Sequence, residues 1–115
     1  MHSTFPALRM TIHLHGSERW RHRPLAAEIV HRAHRFGLAG ASVFHGFQGF
    51  GASSVVHTPG LMTVGDLAPI VIVIVDVPEK ITAFLSELDG LIEHGMLTLD
   101  DVTAVRYDSD TLPRS

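Results

Sequence analysis

The chain contains no cysteine, which removes disulfides, thiolate metal sites, iron–sulfur clusters and cysteine catalysis. Long apolar runs are missing too. The longest, Ile70 to Val75, falls far short of the ~20 residues that span a bilayer. The start, Met1-His2-Ser3-Thr4-Phe5-Pro6, lacks the basic and apolar regions of a secretory signal. A soluble cytoplasmic protein is the expectation. Charged residues are sparse, at 18% against 45% hydrophobic, a balance that excludes an intrinsically disordered chain. No Ser-His-Asp order and no metalloprotease motif is present, although Ser53, Ser54 and His57 lie close together. A nucleophile would also need an oriented base and oxyanion donors, so a binding protein is expected rather than an enzyme.

What is present amounts to 115 residues and 12.6 kDa, the size of one compact domain. Nine histidines equal the lysines and arginines together. Charge is unevenly placed. Residues 1–65 hold six arginines against two acids (+4), and residues 66–115 hold two arginines and one lysine against ten acids (−7). The chain therefore joins a basic half to an acidic half.

Residues 7–15 alternate, with Leu8, Met10, Ile12 and Leu14 on one face and Arg9, Thr11, His13 and His15 on the other. That is a strand with one apolar face, and Gly16-Ser17-Glu18-Arg19 breaks it. Pro24 opens a helix whose stripe is Leu25, Ile29, Val30, Ala33 and Phe36, with Gly37 as its stop. Ala39 to His45 reads as a second strand, residues 46–60 as a glycine-rich loop, and Ala68 to Val77 as a third strand. A second helix opens at Pro78, with Asp76 and Glu79 as a capping pair and Gly95 as its stop. Asp100-Asp101 is expected to form a turn before a last strand, Val102 to Tyr107. The domain core is expected to run from about 7 to 107, with a flexible tail after Asp108.

Strand, helix, strand, strand, helix, strand is the ferredoxin-like βαββαβ plan, an α+β fold with both helices on one face of an antiparallel sheet. Pro69-Ile70-Val71-Ile72-Val73-Ile74-Val75 is apolar on both faces, whereas a half-exposed strand should alternate. Two helices cover one face only. The other face must therefore meet another subunit, and three sheets closing around an axis is one economical way to do so.

Leu14-His15-Gly16-Ser17-Glu18-Arg19, Arg23-Pro24-Leu25, Gly37 to Phe44, Gly46, Gly49-Phe50-Gly51-Ala52-Ser53-Ser54 and His57-Thr58 together resemble the PII-like proteins of domain-of-unknown-function family 190. The match continues through Pro69-Ile70-Val71-Ile72, Val75-Asp76, Lys80-Ile81 and Phe84-Leu85 to the ending between Leu97 and Tyr107. The resemblance implies a ferredoxin-like homotrimer related to the PII signalling proteins. It also implies a small ligand in clefts between subunits, with an adenine nucleotide the candidate. The loop at 46–60 would then act on a membrane transporter or channel. There are departures from the PII pattern. Ala52-Ser53 stand where PII loops carry Arg-Gln, the Gln helping to hold Mg-ATP and 2-oxoglutarate. The only tyrosine is Tyr107, outside the loop. The segment from His94 to Asp101 replaces a basic, phosphate-gripping turn with an acidic one. Within its own family, His22-Arg23 stand where Gly-Lys is usual before the proline.

The candidate ligand-binding residues are Arg19, Arg23, Gly46, Gly49, Gly51, Ser53, Ser54 and His57. Gly46, Gly49 and Gly51 allow backbone amides to approach an anion; the competing reading is a flexible turn anchored by Phe47 and Phe50. Arg19 and Arg23 supply counter-charge, the competing reading being a solvated loop or an inter-subunit ion pair. Arg19-Trp20-Arg21 invites a nucleic-acid reading, but one interleaved aromatic on a net-negative chain argues against it. The histidines support a rival function, a metal-binding trimer similar to the CutA proteins. His31 and His34 sit i,i+3 on a helix, His13 and His15 share a strand face, and His45 and His57 flank the loop. No spacing forces three of them to converge. Histidines at an interface would also respond to pH near 6.5.

Overall fold

A computed structural model describes residues 1–46 and 68–108. The strand expected at 7–15 is longer: β1 runs His2–His15. Two short strands follow, β2 (Arg19–Trp20) and β3 (Arg23–Pro24), paired as a hairpin where a simple break was expected. Helix α1 spans Leu25–Phe36 and ends at Gly37, as its apolar stripe predicts. Then come β4 (Ser42–His45), β5 (Pro69–Asp76), α2 (Pro78–Asp89) and β6 (Met96–Tyr107).

The main sheet has the order β4-β5-β1-β6 with every pair antiparallel. This is the expected ferredoxin-like arrangement, with the two long hydrophobic strands side by side in the middle. In the register Met10 faces Ile74, Ile12 faces Ile72 and Leu14 faces Ile70. These six residues are buried with Leu25, Ile29 and Ala33 of α1 and Ile81, Phe84 and Leu88 of α2. Both helices thus cover one face, and the ring of Phe36 lies 5.3 Å from that of Phe84.

The second half departs from expectation at its turns. Asp100-Asp101 is not a turn: both lie inside β6, opposite Arg9 and Leu8 of β1. The pairing partner decides this, because the extended N-terminal part of β1 offers a full ladder to residues 96–107. In this register an ion pair spans the strands, Arg9 Nη2 to Asp100 Oδ2 at 2.8 Å. Helix α2 stops at Gly90, not at Gly95. Gly95 has another task. Its φ is +149°, and a Cβ there would sit 2.8 Å from the His13 carbonyl oxygen. Only glycine lets the chain pass so close to β1 as it enters β6. The expected capping pair is replaced by a different use of Asp76. Its buried carboxylate accepts from the Val77 amide at 2.7 Å and the Ala39 amide at 2.9 Å, tying the exit of α1 to the entry of α2.

The open face of the sheet is the one expected to meet a partner. Val71, Val73 and Val75 are only half-buried in the single chain, while Ile70, Ile72 and Ile74 on the other side are buried. The loop at 46–60, apart from Gly46, and the tail beyond Asp108 lie outside the described residues. Among the described residues no helix is long and apolar enough to cross a membrane.

Candidate functional site

At the end of the sheet where β1 finishes, the Gly16 amide donates to the Ala68 carbonyl at 2.9 Å, joining the exit of β1 to the approach to β5. The chain then turns into the β2–β3 hairpin and α1. Between these and the edge of the sheet lies a groove of about 570 Å³. Its walls are largely apolar, from Pro24, Ala26, Ala27 and Val30 on one side and Val43 and Ile70 on the other. Arg19 and His45 add polar chemistry, and Gly16 completes the lining.

Arg19, expected to carry counter-charge, therefore stands at the groove. Its Nη1 donates to the carbonyls of Gly16 at 2.9 Å and Glu18 at 3.4 Å, which hold the guanidinium in place. Gly46 follows His45 directly, beside this groove. Its amide, expected to meet a ligand, donates to the Pro69 carbonyl at 2.7 Å, and a Cβ at this position would lie 2.5 Å from Pro69 Cγ. Close approach to β5 is what requires a glycine here. Gly49, Gly51, Ser53, Ser54 and His57 lie outside the described residues.

Arg23 turns elsewhere. Its Nη2 meets Glu28 Oε1 at 2.8 Å, and Arg32 Nε donates to the other oxygen, Oε2, at 2.9 Å. Glu28 is 3% exposed, and both of its oxygens are engaged. The hydrogen bond from Arg32, foremost, and the charges of Arg23, Arg32 and His31 hold its carboxyl below the ordinary 4.5, against the opposite pull of burial. Arg32 also reaches Glu87 of α2 at 3.8 Å. The Trp20 ring lies among three guanidiniums, with Arg21, Arg32 and Arg23 at 4.6, 5.1 and 5.6 Å from its centre.

Sequence reasoning did not place Glu28 and Arg32 in this cluster, although their i,i+4 spacing on a helix is a readable ion-pair signal. The sequence puts His45 beside the loop, and its position on the groove follows from the pairing of β4 with β5. The remaining histidines are dispersed. His13 and His15 do share the open side of β1, and His31 and His34 are exposed on α1. Among the described residues no three of His, Asp and Glu come together as metal ligands.

The sequence profile of the DUF190 family, described as "Uncharacterized ACR", matches residues 7–104. A UPF0166 protein of Aquifex aeolicus (strain VF5) is 33% identical over 88 residues, 76% of this chain and 83% of its own length. Among solved structures the chain is similar to CPII, a nitrogen regulatory PII-like protein from Thiomonas intermedia K12, solved bound to ADP, AMP and bicarbonate. The TM-score is 0.64 at 22% identity, covering 89% of this chain and 91% of that one. It is also similar to a putative PII-like signaling protein from Thermus thermophilus, with a TM-score of 0.59 at 16% identity over 90% of this chain and 91% of the other. The four-stranded antiparallel sheet, the two helices on one face and the sequence match over residues 7–104 lead to one assignment: the chain belongs to the DUF190 family and has the PII-like, ferredoxin-like fold.

Proposed function

We propose that this chain is a PII-like regulator that binds a small anionic ligand, foremost an adenine nucleotide, at the groove beside the 46–58 loop. The groove itself carries the reading. Apolar walls from Pro24, Ala27, Val30 and Ile70 suit the face of a flat heteroaromatic ring, and Arg19 at the same groove suits a phosphate. Ligation of ADP, AMP and bicarbonate by CPII supports anion chemistry on this fold. Arg19 meets the anionic end, and Gly49, Gly51, Ser53, Ser54 and His57 contribute from the loop. Arg23 acts through Glu28.

The protein works by binding rather than catalysis, in the cytoplasm where nucleotides are available. Ordering of the 46–60 loop on ligand binding would carry the signal to a membrane transporter or channel. The open sheet face supports assembly as a homotrimer. One row across it reads Phe44, Val71, His13 and Met96, with Phe44 57% and Met96 64% exposed in the single chain. Burying this row against a second copy removes apolar surface from water.

Calorimetric titration with ATP, ADP and AMP, beside zinc, tests the reading. At least one nucleotide is expected to bind. Arg19→Ala should weaken it by about 10- to 100-fold, the loss typical of a charge-assisted hydrogen bond. Stoichiometric zinc binding with no nucleotide binding would replace it with the histidine-based metal function. Wild type that binds a nucleotide no better than Arg19→Ala would move the site elsewhere.

A further inference from the structure

We propose that Glu28 is a positioning residue: it clamps the β2–β3 hairpin to α1 in the posture that turns Arg19 toward the groove. The inference rests on the ligand site proposed above and names the device that pre-organises it.

The hairpin has two faces because side chains alternate along each strand. Arg19 pairs with Pro24 and Trp20 pairs with Arg23. Arg19 and Pro24 both line the groove. On the opposite side Trp20 packs against the hydrophobic core, and Arg23 reaches Glu28. One side of the ribbon thus faces the ligand site and the other grips the helix. The grip is a buried carboxylate that spends one oxygen on the hairpin, through Arg23, and the other on its own helix, through Arg32. A buried charge is tolerated only when its partners stay in place, so the carboxylate ties the two elements together. Trp20 completes the clamp between the same two guanidiniums.

The hairpin needs holding. Its two-residue turn, Arg21-His22, has φ of 48° and 69°, a conformation that glycine adopts freely and that costs the long, unbranched Arg21 side chain most. Strain of this kind persists where surrounding contacts over-determine the backbone, and it concentrates at ligand clamps. The Leu25 amide donating to the Glu18 carbonyl at 2.9 Å closes the base of the ribbon, leaving its tilt to the Glu28 clamp.

The test is ADP titration of wild type, Arg23→Gln, Glu28→Gln and Arg19→Ala, with the emission of Trp20, the only tryptophan, read alongside. Arg23→Gln and Glu28→Gln are each expected to weaken ADP binding by about tenfold and to shift Trp20 emission while far-ultraviolet dichroism is unchanged. In an Arg19→Ala background neither should weaken it further, because both act through Arg19. A shifted Trp20 signal with unaltered affinity would make the clamp structural only and overturn the proposal. Losses that add fully to that of Arg19→Ala would do the same. The Arg23 side chain is 60% exposed, so Arg23→Gln carries the test should Glu28→Gln not fold. Wild type that binds no ADP overturns the underlying ligand site. Wild type and Arg19→Ala behaving as expected, with Arg23→Gln binding like wild type, overturns the clamp alone.

Discussion

Two glycines five residues apart answer very differently to one methyl group. At Gly90, which ends α2, φ is −91° and no atom lies within 4 Å of an added Cβ. Gly90→Ala therefore meets neither strain nor crowding. It narrows the unfolded ensemble and should stabilise by about 0.4–1 kcal/mol. At Gly95 the added carbon would stand 2.8 Å from the His13 carbonyl and 3.1 Å from Leu14 Cδ2, on a backbone at φ +149°. The backbone region costs a side chain about 1–3 kcal/mol. Crowding against a neighbour that cannot rotate away costs about 1–3 kcal/mol more. The obstacle is main chain in the middle of a sheet, so little relaxation is available. Gly95→Ala should lose roughly 2–6 kcal/mol, which for a domain of this size lowers Tm by about 8 °C or more. Urea unfolding of both variants, at one fixed protomer concentration because assembly adds stability by mass action, reads the difference as separated midpoints with equal slopes. A cost below about 0.5 kcal/mol at Gly95, or a larger cost at Gly90 than at Gly95, would refute the close approach of β6 to β1.

Three other outcomes follow from the same contacts. Because the folded carboxyl of Glu28 titrates below its ordinary 4.5, its contribution is complete above that value and is lost as pH falls through the lowered one. The Tm gap between wild type and Glu28→Gln should therefore be constant at neutral pH and shrink below pH 4.5; a gap that widens in acid would contradict the pairing. Ile72→Ala removes a fully buried side chain between β1 and β4 and should cost about 2–5 kcal/mol in urea unfolding, against well under 1 for Thr82→Ala on the exposed side of α2. Val73→Lys places a charge on the open face opposite Thr11 and Ser42; light scattering should show it reducing a wild-type oligomer to monomer, and an unchanged mass would rule that face out as the interface.

Much of the fold was legible because its signals are local. The alternation of Leu8, Met10, Ile12 and Leu14 and the stripe from Leu25 to Phe36 each state a periodicity, and periodicity alone selects strand or helix. The turns of the second half were harder. Asp100-Asp101 looks like a turn by composition, yet β1 supplies partners for every residue from Met96 to Tyr107. Gly90 and Gly95 offer equal stop signals. Only the path of the chain shows that one ends the helix and the other passes a carbonyl. The candidate site divides in the same way. Arg19 could be named from its place before the first helix and its family motif. Arg23 could be named too, but not its true partner, because nothing in Arg-Pro-Leu-Ala-Ala-Glu states that the glutamate is buried.

The sequence by itself determined the order of the two helices and the four main-sheet strands, the family and the excess of apolar surface on β5. These depend on spacing and composition within short windows. The tertiary structure alone decided which polar groups meet: Arg23 with Glu28, Asp76 with the Ala39 amide, Gly46 with Pro69, and Arg19 with the groove. Ion pairs and close approaches depend on distance in space. Residues far apart along the chain acquire that distance only when the hydrophobic faces have already set the sheet order and register.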